Sequence, residues 1–152
     1  MNVSQLLPPE RLFLDIPACT REEALVFVAD RLEQAGTIRR AQDLVDLLLD
    51  RARMGATVVG DQTAIPHCRV PGLRGVVAAF ARSPEPVSFD LGTGLARLFF
   101  FVISPAEQPA VHLQCLASIA GLPGDPAVRS TFEGASDAAA LSQALALVEG
   151  PR

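Results

Sequence analysis

The sequence predicts an α/β domain, single and spanning residues 1–152, and three observations carry that expectation. Amphipathic helical runs alternate with short extended runs along the chain, the order of elements that builds a sheet flanked by helices. Leu98-Phe99-Phe100-Phe101-Val102-Ile103 is six apolar residues without a break, the pattern of a central strand covered on both faces. A length of 152 residues suits one domain, which at that size buries roughly two-thirds of its unfolded surface.

The elements follow in order. Residues 1 to 10 contain Pro8-Pro9 and read as irregular, and Leu12, Leu14 and Ile16 alternate with Phe13 and Asp15 as a short strand or extended lead-in. Thr20 with Glu23 three residues on forms a capping box. Leu25, Val28, Leu32 and Ala35 then recur at helical spacing until Gly36 ends the run. A second helix runs from about Ala41 to Met54, with Leu44, Val45, Leu48 and Leu49 as its apolar face and Asp43 and Asp46 toward its N-terminal half, where the dipole favours them. Gly55 is placed to take the left-handed conformation that ends it. Beyond His67, strands are expected over Val76 to Ala81, over Pro84 to Phe89 as a separate Pro-interrupted piece, and over Leu98 to Ile103. Pro109 suits the first turn of a helix with Leu113, Leu116, Ala117 and Ala120 as its core stripe. Asp125-Pro126 opens a short helix as N-cap and first residue. Ser136-Asp137 opens the last, with Ala140, Leu141, Ala144, Leu145 and Val148 on its apolar face.

Composition removes several classes of function. Hydrophobic residues make up 49% of the chain and charged residues 20%, which is globular and not disordered. The formal net charge is −4 and all 13 basic residues are arginine, so no nucleic acid partner is expected, because a duplex-binding surface needs a basic excess. Cys19, Cys68 and Cys115 are odd in number and lack CxxC spacing, which argues against a disulfide framework or a zinc cluster. No segment approaches eighteen consecutive apolar residues and no leader pattern opens the chain. The expectation is a protein of the reducing cytoplasm with no membrane insertion, no metal and no cofactor.

Arg51 through Cys68 organises the rest. It reads as a helix end, a turn, a short strand at Thr57 to Val59, a turn at Gly60-Asp61, and a second short strand. Pro66 fixes its own φ and biases Ile65 toward extended backbone, so His67 leaves a stiff support. The chain has two histidines, His67 and His112, 45 residues apart, in segments able to converge at one sheet edge. They are the only side chains that titrate near neutral pH without perturbation. Taken alone, the pair fits two packed or surface histidines better than a site. Arg51 in the last turn of its helix would by default be a solvent-facing cation favoured by the dipole. Cys68 neighbours His67 on extended backbone and so is expected on the opposite side as a packed thiol. Gly60 to Thr63 lacks the GxxxxGK[ST] spacing of a nucleotide loop.

These residues carry a resemblance. Ala64-Ile65-Pro66-His67-Cys68, preceded by Gly55-Ala56-Thr57 and by Arg51, resembles the phosphorylation-site signature of the IIA domains of the bacterial phosphoenolpyruvate-dependent phosphotransferase system, in the mannitol/fructose/nitrogen-regulatory branch. Val87-Ser88-Phe89-Asp90 and the stretch from Phe101 through Pro105-Ala106-Glu107-Gln108 to His112-Leu113 match the downstream pattern, so the likeness covers nearly the whole chain. It implies a mixed sheet of about five strands with helices on both faces. It also implies that His67 accepts the phosphoryl group, that His112 donates a hydrogen bond to a phosphoryl oxygen, and that Arg51 offers its guanidinium to the same group. Ala56 stands where Ser or Thr is common, Val58 replaces a glycine, and Asp61-Gln62 replaces Asn-Gly. An inward Asp61 would repel a phosphoryl dianion, and Gln62 gives up easy access to positive φ.

The implied function is that of a phosphocarrier, an enzyme in the phosphotransferase sense. Its partners would be an HPr-type phosphocarrier protein as donor and either a IIB domain or a regulatory target as recipient. The stretch from Pro105 to Leu113 most resembles free-standing nitrogen-regulatory IIA proteins. A sugar-specific fructose or mannitol IIA that passes the group to a IIB cysteine is the alternative, and a non-catalytic protein-binding module is a further one.

Overall fold

The computed structural model describes residues 3–18, 20–54, 57–60, 62–90 and 94–148. In chain order the elements are α1 (Val3–Leu6), β1 (Leu12–Phe13), α2 (Arg21–Gln34), α3 (Ala41–Arg53), β2 (Val58–Gly60), β3 (Thr63–Ala64), β4 (His67–Val70), β5 (Val77–Asp90), β6 (Gly94–Pro105), α4 (Pro109–Ala120), α5 (Pro126–Gly134) and α6 (Ala138–Val148). Single 3₁₀ turns lie at Pro9–Arg11 and Leu122–Gly124.

The six strands form one mixed sheet in five lateral positions, in the order β1-β5-β6-β3-β2, with β4 also paired to β6. β5 runs antiparallel to β6, β2 antiparallel to β3, and the remaining pairings are parallel. β3 and β4 are two parts of one path beside β6, because each residue pairs with the one 35 further on: Thr63 with Leu98, Ala64 with Phe99, His67 with Val102, Cys68 with Ile103. Pro66 has no N–H to give the ladder, so the pairing breaks at Ile65-Pro66 while its carbonyl still accepts from the Val102 N–H at 3.0 Å.

β6 is the central strand, as its run of apolar residues requires. Phe99, Phe101 and Ile103 face the core built by α2 and α3, and Leu98, Phe100 and Val102 face a second core under α1, α4, α5 and α6. In that second core Phe80, Phe100 and Phe132 form a closed triangle with centroids 4.7–5.0 Å apart. Burying each such ring contributes up to about 3 kcal/mol.

Local signals act as read. The Thr20 side chain accepts from the Glu23 N–H at 3.1 Å. Gly36, at φ +75°, ends α2 with Gly36 N–H bonded to Glu33 O and Thr37 N–H to Leu32 O, the paired bonds of a left-handed helix end. Asp125 caps α5 through the Ala127 N–H at 3.0 Å, and Asp137 caps α6 through the Ala140 N–H at 2.7 Å.

Four expectations change. The N-terminal stretch read as irregular contains the α1 turn, whose Val3, with Leu7 just beyond it, is buried in the second core. The two pieces expected over residues 76–89 are one strand, β5. Its register against β6 shifts between Arg82 and Val87, so Pro84 and Pro86 lie in a bulge that needs no N–H from them. The stripe of α4 is rotated: His112, Cys115 and Ile119 are buried, while Leu113 is 66% exposed and Ala117 and Ala120 face outward. Ala35 of α2 is likewise exposed. The N-terminus of α3 takes its cap from α2, where the Glu33 carboxylate accepts from the Ala41 N–H at 2.9 Å.

Candidate functional site

Ile65 has its backbone turned away from β6. Its N–H bonds Thr57 O at 2.8 Å, and its carbonyl meets His67 Nδ1 at 2.6 Å. A carbonyl only accepts, so Nδ1 carries the proton and the neutral ring leaves Nε2 with its lone pair free. The stiffness anticipated from Pro66 thus has a second part, a main-chain acceptor two residues back that fixes which nitrogen is nucleophilic. Burial is the main cause that lowers the His67 pKa from its ordinary 6.5. The Ile65 carbonyl opposes this, and the positive charge of Arg51 lowers it further. The neutral form required of a nucleophile is therefore favoured at neutral pH.

Strand alternation decides what shares this surface. His67 pairs with Val102 and Arg69 with Ser104, and Val102 belongs to the core under α4, so His67, Arg69 and Ser104 lie on the α4 side of the sheet. Cys68 faces the other core, where burial pushes its thiol up to about 12. It is a packed thiol and no partner of the histidine.

α4 delivers His112 onto this surface. The site gathers the amino end of β4, where His67 opens the strand, Ser104 next to the carboxyl end of β6, and the first turn of the helix that follows β6. The His112 ring lies 5.8 Å from that of His67, centroid to centroid, at 41°. Its Nδ1 is 2.8 Å from Ser104 Oγ, and both residues are buried. Burial lowers the His112 pKa most, followed by the charges of His67, Arg69 and Arg51.

Arg51 is half-buried at the end of α3, not the solvent-facing cation its helix-terminal position suggests by default. Its Nη1 is buried and has no hydrogen-bond partner among the described residues. A buried guanidinium N–H without an acceptor is costly, and the group that satisfies it best is an anion. Arg51 acts electrostatically on both histidines, so all three anticipated site residues converge.

Two further residues join them. Arg69 follows His67 by two, a spacing that signals the same strand face once His67 is known to begin a strand. Ser104 closes the apolar run of β6, where a hydroxyl among phenylalanines and valines was the available clue. Gly55, Ala56 and Asp61, and with them the expected helix end and the expected repulsion from Asp61, lie outside the described residues, as does Cys19. Gln62 is described and has φ +57°. The left-handed conformation that a glycine would take freely is held here by a side-chain-bearing residue, at a cost of roughly 1–2 kcal/mol, with the Gln62 carbonyl fixed by the N–H groups of Arg97 and Leu98.

Comparison with known proteins shows the family of the chain. Residues 5–147 match the family described as phosphoenolpyruvate-dependent sugar phosphotransferase system, EIIA 2. A nitrogen regulatory protein of Bradyrhizobium diazoefficiens is 32% identical over 149 residues, 97% of this chain and 96% of that protein. A fructose-specific EIIA component of the phosphotransferase system from Haloferax volcanii is 33% identical over 119 residues, 78% and 77% of the two chains. The crystal structure of the nitrogen regulatory protein IIA-Ntr from Neisseria meningitidis superposes with a TM-score of 0.83 at 27% identity, covering 94% of this chain and 98% of that one.

Proposed function

The chain belongs to the EIIA 2 family of the phosphoenolpyruvate-dependent sugar phosphotransferase system, whose members are phosphocarriers, and we propose that His67 is the residue that carries the phosphoryl group. The observation that bears most weight is the Nδ1 contact with the Ile65 carbonyl, which leaves Nε2 unprotonated; it is supported by the positive charge of Arg51 acting on the ring and by the Arg51 nitrogen that has no partner among the described residues.

In the proposed step a phosphohistidine of an HPr-type protein approaches the open side of the site. His67 Nε2 attacks phosphorus in line, the new N–P bond forms as the donor's N–P bond breaks, and the donor ring leaves with the bonding electron pair. No proton has to depart from Nε2. The positive charge that grows on the His67 ring is met by the Ile65 carbonyl, and the charge on the phosphoryl oxygens by Arg51 and by an N–H of His112. The reverse geometry delivers the group to a recipient, a cysteine of a IIB domain or a regulatory target.

Near-full mutual coverage with a nitrogen regulatory protein supports the nitrogen-regulatory branch. The fructose-specific relative, as similar in identity, supports the sugar branch as the second reading. Incubation with phosphoenolpyruvate, enzyme I and HPr should place an acid-labile phosphoryl group on the protein, and His67→Ala should abolish it; label retained by that variant would move the acceptor elsewhere. The labelled protein is then mixed with fructose- and mannitol-type IIB domains. Rapid passage to a IIB cysteine supports the sugar branch, and a persistent phosphoprotein with altered protein binding supports the regulatory one.

A further inference from the structure

We propose that Ser104 is a positioning residue that holds His112 with its proton on Nε2, the opposite tautomer to that of His67. Ser104 Oγ lies 2.8 Å from His112 Nδ1, on a residue with 0% exposure. His112 Nδ1 is its one hydrogen-bond partner among the described residues. If Nδ1 carried the proton and the hydroxyl accepted it, the hydroxyl's own hydrogen would be a buried donor with nothing to bond. Unpaired buried donors are what folded chains avoid. When the hydroxyl donates to Nδ1 instead, that hydrogen is satisfied and the ring proton resides on Nε2.

The two histidines are then complementary although they are the same side chain. A main-chain carbonyl, which can only accept, makes His67 a nucleophile at Nε2. A hydroxyl with no other acceptor among the described residues makes His112 a donor at Nε2. A phosphoryl group bound to the first would find a hydrogen-bond donor on the second. Among the described residues, the charged and titratable groups acting on His112 are His67, Arg69 and Arg51, none of them a carboxylate that would compete with Ser104 and pull the proton to Nδ1. The arrangement exists in the unphosphorylated protein. Only its effect on rate rests on the phosphocarrier reading.

The test is ¹⁵N NMR of the imidazole nitrogens in the unphosphorylated wild-type chain. His67 should show a protonated Nδ1 and a bare Nε2, and His112 the reverse. A protonated Nδ1 on His112 would overturn the proposal, whether or not the protein carries phosphate. Ser104→Ala should keep the fold by circular dichroism and raise the His112 pKa toward the ordinary histidine value, since a donor at Nδ1 opposes protonation there. It should also slow phosphoryl acceptance roughly three- to tenfold, the scale of one neutral hydrogen bond, and Ser104→Thr, which keeps the hydroxyl, should restore both. A folded Ser104→Ala variant with unchanged His112 titration would equally sink the idea. Labelling lost from the wild type, with the tautomers as expected, would refute the carrier reading and leave this one standing.

Discussion

Arg51 and Arg82 are both arginines drawn in from solvent, and the contrast between them separates structure from chemistry. Arg82 lies opposite Leu98 at the start of the β5 bulge, with its side chain 6% exposed. Its Nε and Nη2 bond the two oxygens of Asp15, and its Nη1 bonds the carbonyls of Phe132 and Glu133 at 3.0 and 3.1 Å. Each nitrogen has an acceptor, and the residue ties β5 to α5 and to the lead-in of the chain. Arg51, beside the paired histidines, leaves Nη1 buried and unpartnered among the described residues. One guanidinium has been spent on the fold, while the other keeps a donor that the fold does not use.

The sharpest break of this comparison is functional. Arg51→Ala and His112→Ala should each slow phosphoryl acceptance by on the order of 10² to 10³, the usual loss when a preorganised donor is removed. Arg51→Ala should leave stability within about 1 kcal/mol, because the deleted nitrogen had no partner to abandon. Single-turnover transfer from phosphorylated HPr, read beside a urea melt, checks both halves; a variant that melts early but transfers normally would make Arg51 structural. Arg82→Ala should do the opposite. It strands two carbonyls and a carboxylate and opens a void, so unfolding should become easier by about 2–4 kcal/mol, with Asp15 more than half exposed and holding the loss below that of a fully buried pair. Transfer at a temperature where the variant remains folded should be near wild type.

The smallest effect is the response to acid. Both histidine pKa values are lowered by burial from 6.5, so the unfolded chain binds protons more readily than the folded one. Stability therefore begins to fall as pH drops through about 6.5 and keeps falling until the folded histidines protonate. Acceptance of the phosphoryl group should persist somewhat below the ordinary histidine range, because His67 stays neutral there. A chain carrying His67→Asn and His112→Asn should lose less stability between about pH 7 and pH 5 than the wild type. Identical slopes for the two proteins would show that the histidines do not titrate as their burial requires.

Much of this molecule was legible in local chemistry. The Thr20–Glu23 cap, the left-handed Gly36, the Asp125-Pro126 helix start and the unbroken apolar run of β6 depend on neighbours within a few residues, and each appears where the sequence put it. His67 and Cys68 on opposite sides follow from the two-residue repeat of a strand. The resemblance picked out His67, His112 and Arg51, and the chain folds so that they meet.

Phase and distance needed the tertiary structure. Helical spacing in α4 fixes which residues share a face but not which face meets the sheet, so Leu113 was expected inside and lies outside, while His112 and Cys115 turn inward. The two proline-marked pieces of β5 join because β6 offers one continuous edge, and a bulge absorbs the prolines. Glu33 caps a helix eight residues away, and Arg82 reaches acceptors 50 and more residues distant. Ser104 acts on His112 only because β6 and α4 pack together. A sequence lays down periodicity and turn chemistry through short-range sterics, whereas the partner of a buried polar atom is chosen by whichever distant segment comes to rest against it.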